Sequence, residues 1–220
     1  EIMPRLVGSE MCIRDSYGYG TMGLTPTNNK VDVSISCWEW KMGESKAGKF
    51  SGAKCKISKW VRIDSKSQPM QAKSAANYSN AALARMEALN AGYDEAIMLN
   101  NKGHVAEGSA ENIFVVKNGR ITTPPLDADI LDGITRDSAI KLLKSNKIKV
   151  IEKNLKINDL LKADEIFMTG TAAEVKSVTR VNKTKIGNGK IGEVTKELQE
   201  SFMDTVMGKN KKFRSWLKFI

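Results

Sequence analysis

The first regular pattern along the chain is a strict alternation of apolar and polar residues from Val31 to Cys37. Such an alternation predicts a strand with one apolar face at the edge of a sheet. Residues 1–16 show neither helical nor strand periodicity and lack the features of a signal peptide, so we expect a foreign or misread leader. Residues 44–58 are rich in Gly, Ser and Lys with weak periodicity, which predicts a linker or a mobile loop.

After residue 59 the pattern alternates between strands and helices. Ala82, Leu83, Met86 and Leu89 recur at helical spacing before Gly92, which predicts a helix over residues 77–91. Strands and helices mix without a strict βαβ repeat, so the predicted fold class is α+β (mixed α/β). The other predicted helices are 134–144, 158–162 and 193–207; the predicted strands are 95–99, one ending at Glu107, a hairpin of 113–116 and 120–123 across Asn118 and Gly119, 149–152, 165–168 and 175–181.

Length and composition narrow the class of protein. With 220 residues, 41% hydrophobic and 27% charged, the chain can close the core of one domain, or of one domain and a fragment. No stretch approaches the roughly 20 apolar residues of a membrane span, so a soluble protein is expected, and an odd number of widely spaced cysteines fits a reducing cytoplasm best. Three widely spaced cysteines and a single histidine support neither a disulfide framework nor a metal site, and they disfavour Ser-His or Cys-His hydrolases; these residues are Cys12, Cys37, Cys55 and His104.

The chain carries a formal net charge of +10, which favours anionic ligands through its bulk field. The basic residues, some of them in a C-terminal tail over residues 209–220, lack the interleaved aromatic residues on which single-stranded nucleic acid stacks. We therefore expect no nucleic-acid partner. A catalytically silent basic binding module remains an alternative.

Three short motifs are candidates for chemistry. Lys73 lies among small residues just before the predicted helix 77–91, although a single lysine is more often a solvated surface residue. The motif Gly133-Ile134-Thr135 begins an amphipathic helix whose first amides have no intrahelical partner, which suits an anion. The motif from Thr169 to Ala172 follows a predicted strand. Each motif alone is a weak signal, because such turns are common.

Together, six motifs in order resemble the fold-type IV pyridoxal-phosphate enzymes and, within them, the branched-chain amino-acid aminotransferases. The resemblance implies the large C-terminal domain of this fold over residues 59–208, a remnant of the small N-terminal domain over 17–43, and a linker over 44–58. The motifs are Tyr-Gly-Tyr-Gly-Thr-Met-Gly-Leu-Thr-Pro, Cys-Trp-Glu-Trp, Ala-Lys-Ser-Ala-Ala-Asn-Tyr, Glu-Gly-Ser-Ala-Glu-Asn-Ile-Phe, Leu-Asp-Gly-Ile-Thr-Arg-Asp and Met-Thr-Gly-Thr-Ala-Ala-Glu.

The resemblance also implies a role for individual residues. Lys73 matches the catalytic lysine that bonds to the cofactor, pyridoxal 5'-phosphate, and Glu107 matches the acid that faces the ring nitrogen. Trp60 and Arg62 are interpreted as interdomain or packing residues. The remaining matches are Leu131 on the ring face, Ile134, Thr135 and Thr171 at the phosphate, and Trp40, Tyr78, Thr171 and Ala172 at the substrate.

The implied reaction is transamination between branched-chain L-amino acids (Leu, Ile, Val) and 2-oxoglutarate by a homodimer or higher homo-oligomer. The ending from Glu111 to Phe114 favours this group over the D-amino-acid aminotransferases and aminodeoxychorismate lyases of the same fold, which remain alternatives. The family's N-terminal arginine for the cofactor phosphate has no counterpart in this sequence. Because charge-assisted hydrogen bonds are worth roughly 1.5–3 kcal/mol, we expect weak cofactor binding and little turnover.

Overall fold

The computed structural model describes residues 9–39 and 52–218, which form a two-stranded ribbon and a nine-stranded sheet with helices. The ribbon pairs β1 (Ser9–Tyr17) with β2 (Val31–Glu39) in antiparallel register, so the strand predicted from the alternation is confirmed. Strand β1 lies largely within residues 1–16, where the sequence shows no strand periodicity. Main-chain hydrogen bonds to a neighbouring strand require no side-chain periodicity, so β1 has no pattern of its own.

The nine-stranded sheet curls until its ends meet. Its order is β5-β4-β3-β10-β9-β6-β7-β8, and β11 pairs with β10. The backbone N–H of Val105 in the first strand donates to the carbonyl of Leu155, just after the last strand, over 2.8 Å. The strands are β3 (Ala53–Ile57), β4 (Glu95–Leu99), β5 (Val105–Gly108), β6 (Asn112–Lys117), β7 (Arg120–Thr123), β8 (Val150–Glu152), β9 (Glu165–Gly170), β10 (Glu174–Val181) and β11 (Thr184–Lys185).

Four α-helices accompany this sheet within the described residues, and all four were predicted. They are α1 (Ala75–Asn90), α2 (Ile134–Ser145), α3 (Ile157–Leu161) and α4 (Glu193–Val206). The hairpin of β6 and β7 is also confirmed, with Asn118 and Gly119 both at positive φ as a two-residue hairpin turn requires. In the segments 9–39 and 52–218, none of the helices combines the length and apolar character that a membrane crossing requires.

Strand β3 corrects the C-terminal part of the linker expected over residues 44–58; positions 44–51 lie outside the described residues. Ala53–Ile57 runs parallel to both β4 and β10 in the middle of the sheet, and Ala53 and Cys55 are buried in its core. Burial raises the pKa of the Cys55 thiol above its usual range, so this cysteine stays protonated. Ala53, Cys55 and Ile57 alternate with two lysines as a strand pattern requires, but the alternation covers only five residues at the end of a stretch rich in Gly, Ser and Lys, and it was overlooked.

The helices α2 and α4 cover the outer face of the sheet. Phe114 of β6 and Phe167 of β9 stack with their ring centres 4.8 Å apart, beneath Leu142 and Leu198 of the two helices. Val194 and Phe202 of α4 pack against the same cluster, so the helix has one apolar face and turns it toward the sheet. This packing holds the first turn of α2 above the ends of β6 and β9.

Helix α1 packs through its small residues. Ala81, Ala84 and Ala88 are buried against Ala96 and Met98 of β4, since alanines let the helix approach the strand closely. Its larger apolar residues lie elsewhere on the helix surface and are about half exposed: Leu83 (47%), Met86 (54%) and Leu89 (46%). The helix is therefore where the sequence predicted it, but the residues that suggested it do not form its buried face.

Candidate active site

A cavity of about 380 Å³ lies where four segments of the chain meet. These segments are the turn before α1, the β5–β6 connection, the stretch leading into α2, and the β9–β10 turn. The predicted site residues that line the cavity are Lys73, Tyr78, Glu107, Leu131, Ile134, Thr135, Thr171 and Ala172. The remaining predicted residue, Trp40, lies outside the described residues.

Lys73 is exposed on the segment that leads into α1, directly before the helix cap Ser74. The side-chain amide of Asn77, which is buried, donates to the carbonyls of Pro69 (3.2 Å) and Ala72 (3.0 Å). These two hydrogen bonds fix the main chain on the N-terminal side of the lysine. The lysine amine is therefore carried on a restrained backbone.

Gln71 ties the lysine segment to the opposite wall of the cavity. Its Nε2 donates to the carbonyl of Ile130 (3.2 Å), and its Oε1 accepts from the backbone N–H of Asp132 (3.1 Å). Leu131, the residue predicted to lie on the ring face, is thus held between the two ends of one side-chain amide. Nothing in the sequence pattern indicated this bridge.

Glu107 is a buried carboxylate with a nearly complete set of hydrogen bonds. Its Oε1 is 2.8 Å from Arg62 Nη2, and its Oε2 accepts from Asn112 Nδ2 and from the backbone N–H of Leu131, both at 3.1 Å. A carboxylate offers roughly four lone-pair sites, and these three donors use three of them. One site remains for an N–H donor in the cavity.

Arg62 was predicted to be an interdomain or packing residue, and that interpretation is wrong. Its side chain is only 6% exposed, lines the cavity and forms the ion pair with Glu107. Its backbone N–H donates to the carbonyl of Leu99, which fixes the segment against β4. Sequence spacing did not reveal this pairing, because 45 positions separate the two charges along the chain.

Burial dominates the electrostatics of this end of the cavity. It raises the pKa of Glu107 to about 7, against the opposing effects of the Arg62 charge and the Leu131 N–H. It also raises the pKa of Glu111, which lies in the same wall, and that of Tyr78, to which Glu107 contributes as well. A cationic or N–H-bearing ligand would favour the ionised form of Glu107.

The first turn of α2 forms the other end of the cavity. Gly133 caps the helix without a side-chain hydrogen bond, so the cap leaves the first amides to a ligand. A Cβ on Gly133 would overlap Oδ1 of Asn112, so only glycine allows this approach of helix and strand. Thr135 and Thr171 add hydroxyl groups nearby. Free amides and a positive helix dipole favour an anion at this end.

Comparison with known proteins assigns a class to this fold and site. Residues 12–181 match the family described as Amino-transferase class IV, and the chain belongs to this family. Two relatives within the family are named as branched-chain-amino-acid aminotransferases. The probable enzyme of Aquifex aeolicus is 42% identical over 212 residues (96% of this chain, 68% of the relative). The enzyme of Pseudomonas aeruginosa is 40% identical over 200 residues (91% and 65%).

A solved structure gives the same result. The branched-chain amino acid aminotransferase of T.th. with pyridoxamine 5'-phosphate superposes with a TM-score of 0.91 at 37% identity, over 96% of this chain and 69% of that chain. The predicted fold, the large domain of the fold-type IV enzymes, is thereby confirmed. The chain spans about two thirds of the length of these relatives.

Pyridoxal 5'-phosphate is the cofactor of this class, and the residues of the cavity fit it. The free lone pair of Glu107 suits a protonated ring nitrogen, and the α2 amides suit a phosphate. Gly170 lets the β9–β10 turn approach the β5–β6 connection closely along the wall of the cavity, since a Cβ there would lie 3.2 Å from the Ala110 carbonyl and 3.3 Å from Glu111 Cγ.

Replacement of Gly133 by alanine should weaken both the fold and the site. The new methyl group would displace Asn112, whose Nδ2 donates to Glu107 and, over 2.8 Å, to the carbonyl of Leu131. We expect urea denaturation to show that the free energy of unfolding falls by about 1–3 kcal/mol, the usual cost of adding a methyl group to a well-packed site. In an Asn112→Ala background the same replacement should cost much less. An equal cost in both backgrounds would show that the overlap is not the cause.

The stability of the ligand-free protein should fall as pH rises through the titration of Glu107. Its folded pKa of about 7 lies above its ordinary value of 4.5, so the folded state binds more protons between these pH values. Since one pKa unit corresponds to roughly 1.4 kcal/mol, the ionisation of Glu107 should lower the free energy of unfolding by up to about 3 kcal/mol between pH 4.5 and pH 7.5. The urea concentration at the unfolding midpoint should fall from pH 4.5 to pH 7.5, and this fall should be smaller in Glu107→Gln. Parallel profiles for the two proteins would contradict the prediction.

Proposed function

We propose that this protein transfers amino groups between branched-chain L-amino acids and 2-oxoglutarate with pyridoxal 5'-phosphate as cofactor. The observation that carries the proposal is the arrangement of three groups around one cavity. Lys73 projects from one wall, a buried glutamate with one open lone pair lies at one end, and the first turn of α2 lies at the other. This order matches the aldehyde, the ring nitrogen and the phosphate of the cofactor.

Bound pyridoxal phosphate would supply an aldehyde that takes up amino groups and a ring that withdraws electrons from the bond to be broken. Lys73 would hold the cofactor through its amine and carry the proton to and from the substrate α-carbon. Ionised Glu107 would keep a proton on the ring nitrogen, and Arg62 would favour that ionised form. Each of these roles belongs to a side chain whose backbone or partner is fixed by the hydrogen bonds described above.

The remaining predicted residues would bind and orient. The amides of Ile134 and Thr135 and the hydroxyl of Thr171 would hold the phosphate, and Leu131 would cover one ring face. Tyr78, Thr171 and Ala172 would contact the substrate. For the substrate wall we propose Trp40 as well, on the resemblance alone.

Two ligand-bound structures of a relative support the choice of substrates in this proposal. The branched-chain amino acid aminotransferase of T.th. has been solved with N-(5'-phosphopyridoxyl)-L-glutamate and with 4-methylvaleric acid. Glutamate is the amino form of 2-oxoglutarate, and 4-methylvaleric acid has the carbon skeleton of leucine without its amino group. The same cavity in this chain would accept both substrates in turn.

A reconstitution experiment tests the function. The purified chain is incubated with pyridoxal phosphate and reduced with borohydride, and the labelled peptide is identified by mass; we expect the label on Lys73. Transfer from L-leucine to 2-oxoglutarate is then measured as glutamate formed. Turnover of D-alanine instead, or pyruvate released from aminodeoxychorismate, would favour the other reactions of this fold. Tight, salt-dependent nucleic-acid binding without any label would favour a binding module.

We also propose that the protein acts in the cytoplasm as a homodimer or a higher homo-oligomer. The support is the exposed apolar surface of Leu83, Met86 and Leu89 on α1 and of Val33 and Ile35 on β2. Monomeric proteins rarely leave large contiguous apolar patches in water. Light scattering of the purified chain tests the proposal, and a monomer at micromolar concentration would contradict it.

A further inference from the structure

Thr169 is a polar residue of the cavity whose hydroxyl has no partner. The residue is 1% exposed and lines the cavity at the end of β9. Among the described residues, no hydrogen-bonding group lies within reach of its Oγ1. By contrast, the equally buried hydroxyl of Thr123 donates to the carbonyl of Ile113 over 2.8 Å. Because a buried hydroxyl without a partner is costly, Thr169 is an exception that requires an explanation.

The strand register places this hydroxyl beneath the first turn of α2. Thr169 pairs directly with Asn112 of β6, and opposite residues of an antiparallel pair project from the same face of a sheet. Asn112 touches Gly133, the cap of α2, as described above. Thr169 is also two residues before Thr171, the predicted phosphate contact. Phe167 lies two residues earlier in β9, on the same face, and packs beneath α2, so the Thr169 hydroxyl lies on the α2 side of the sheet, where the free amides of the helix favour an anion.

We propose that Thr169 is a further binding residue for the phosphate of the cofactor, with its hydroxyl donating a hydrogen bond to a phosphate oxygen at the floor of the cavity. This proposal rests on the function proposed above, because it takes a phosphorylated pyridine as the ligand. Its chemistry is that of an alcohol and a phosphomonoester dianion, and no covalent step is involved. The bound phosphate would give this buried hydroxyl the hydrogen-bond partner that it lacks among the described residues.

Binding measurements with pyridoxamine 5'-phosphate and with pyridoxamine test the proposal, since neither amine needs a covalent bond to Lys73. Thr169→Val removes the hydroxyl and keeps the shape of the side chain, whereas Thr169→Ser keeps the hydroxyl. We expect Thr169→Val to weaken binding of the phosphorylated ligand by roughly 10- to 100-fold, as for one charge-assisted hydrogen bond. Binding of pyridoxamine should change by less than about twofold, and Thr169→Ser should retain most of the affinity.

The melting temperature of the ligand-free protein provides a second readout. If the Thr169 hydroxyl formed a hydrogen bond within the protein, its removal would lower the melting temperature. We expect ligand-free Thr169→Val to melt at or above the temperature of the unmodified chain, because it loses no internal hydrogen bond. The control Thr123→Val loses one and should melt lower with unchanged ligand affinity.

Three results would overturn the proposal. These are equal weakening for both ligands in Thr169→Val, an unchanged affinity for pyridoxamine 5'-phosphate, or a fall in melting temperature that matches Thr123→Val. If the unmodified chain fails to bind pyridoxamine 5'-phosphate, the proposed function fails and this inference fails with it. If the unmodified chain binds and Thr169→Val binds equally well, only the inference fails.

Discussion

Replacing Arg62 with methionine should lower the free energy of unfolding by about 1.5–3 kcal/mol at pH 7.5, the usual worth of a hydrogen bond to a charged group, because Glu107 can take up a proton once its partner is gone. Both side chains of the pair are almost fully buried, and within the described residues Glu107 has no other cation in contact. The Arg62 charge lowers the pKa of Glu107. Without it, that pKa rises further, so the deficit should shrink at pH 5, where the acid is protonated in both proteins.

A double-mutant cycle measures this coupling. The variants are Arg62→Met, Glu107→Gln and the combination, each compared by urea denaturation at pH 5 and pH 7.5. We expect the combination to be more stable at pH 7.5 than the sum of the single losses predicts. The control is Lys141→Met, which breaks an exposed pair with Asp137 and should cost no more than about 1 kcal/mol. A loss for Arg62→Met as small as that of the control would show that the pair is not essential.

Where local pattern and tertiary structure agree, the sequence was sufficient to predict the elements. Helix α2 begins at a capping glycine and carries an apolar face, and the hairpin of β6 and β7 has the Asn-Gly turn that its geometry requires. The cavity residues were found by a different route: three short motifs were weak candidates on their own, and the resemblance to a known family assigned the individual residues their roles. These motifs could be recognised because backbone at the end of a strand or helix is free to contact a ligand.

The elements that were missed depend on partners far away in the chain. Strand β3 is held by β4 and β10 on its two sides, and its own alternating pattern covers only five residues. The pairing of Arg62 with Glu107 and the bridge formed by Gln71 each join segments that the sequence separates by tens of residues. Long-range contacts of this kind leave no periodicity, so no local rule could predict them.

The active-site prediction with the largest expected effect concerns Lys73. In Lys73→Arg the charge is retained, but the guanidinium stays protonated at any accessible pH and can neither attack an aldehyde nor accept a proton. Loss of a positioned general base typically costs 10²–10⁴-fold, so we expect turnover to fall by at least about 100-fold. The measurement is a single turnover of pyridoxamine 5'-phosphate-loaded protein with 4-methyl-2-oxopentanoate, followed by the change in visible absorbance.

Two further variants separate the chemistry of Lys73 from its charge. Lys73→Ala leaves space in the cavity wall, so a small added amine such as methylamine should restore part of the rate in proportion to its concentration, whereas Lys73→Arg should not respond. Lys59→Arg, at an exposed lysine that lies over the Trp60 ring, should keep the full rate. Because Lys73 is itself exposed and its backbone is held by Asn77 and Gln71, these replacements should leave stability within about 0.5 kcal/mol. A rate for Lys73→Arg within tenfold of the unmodified protein would mean that another group moves the proton.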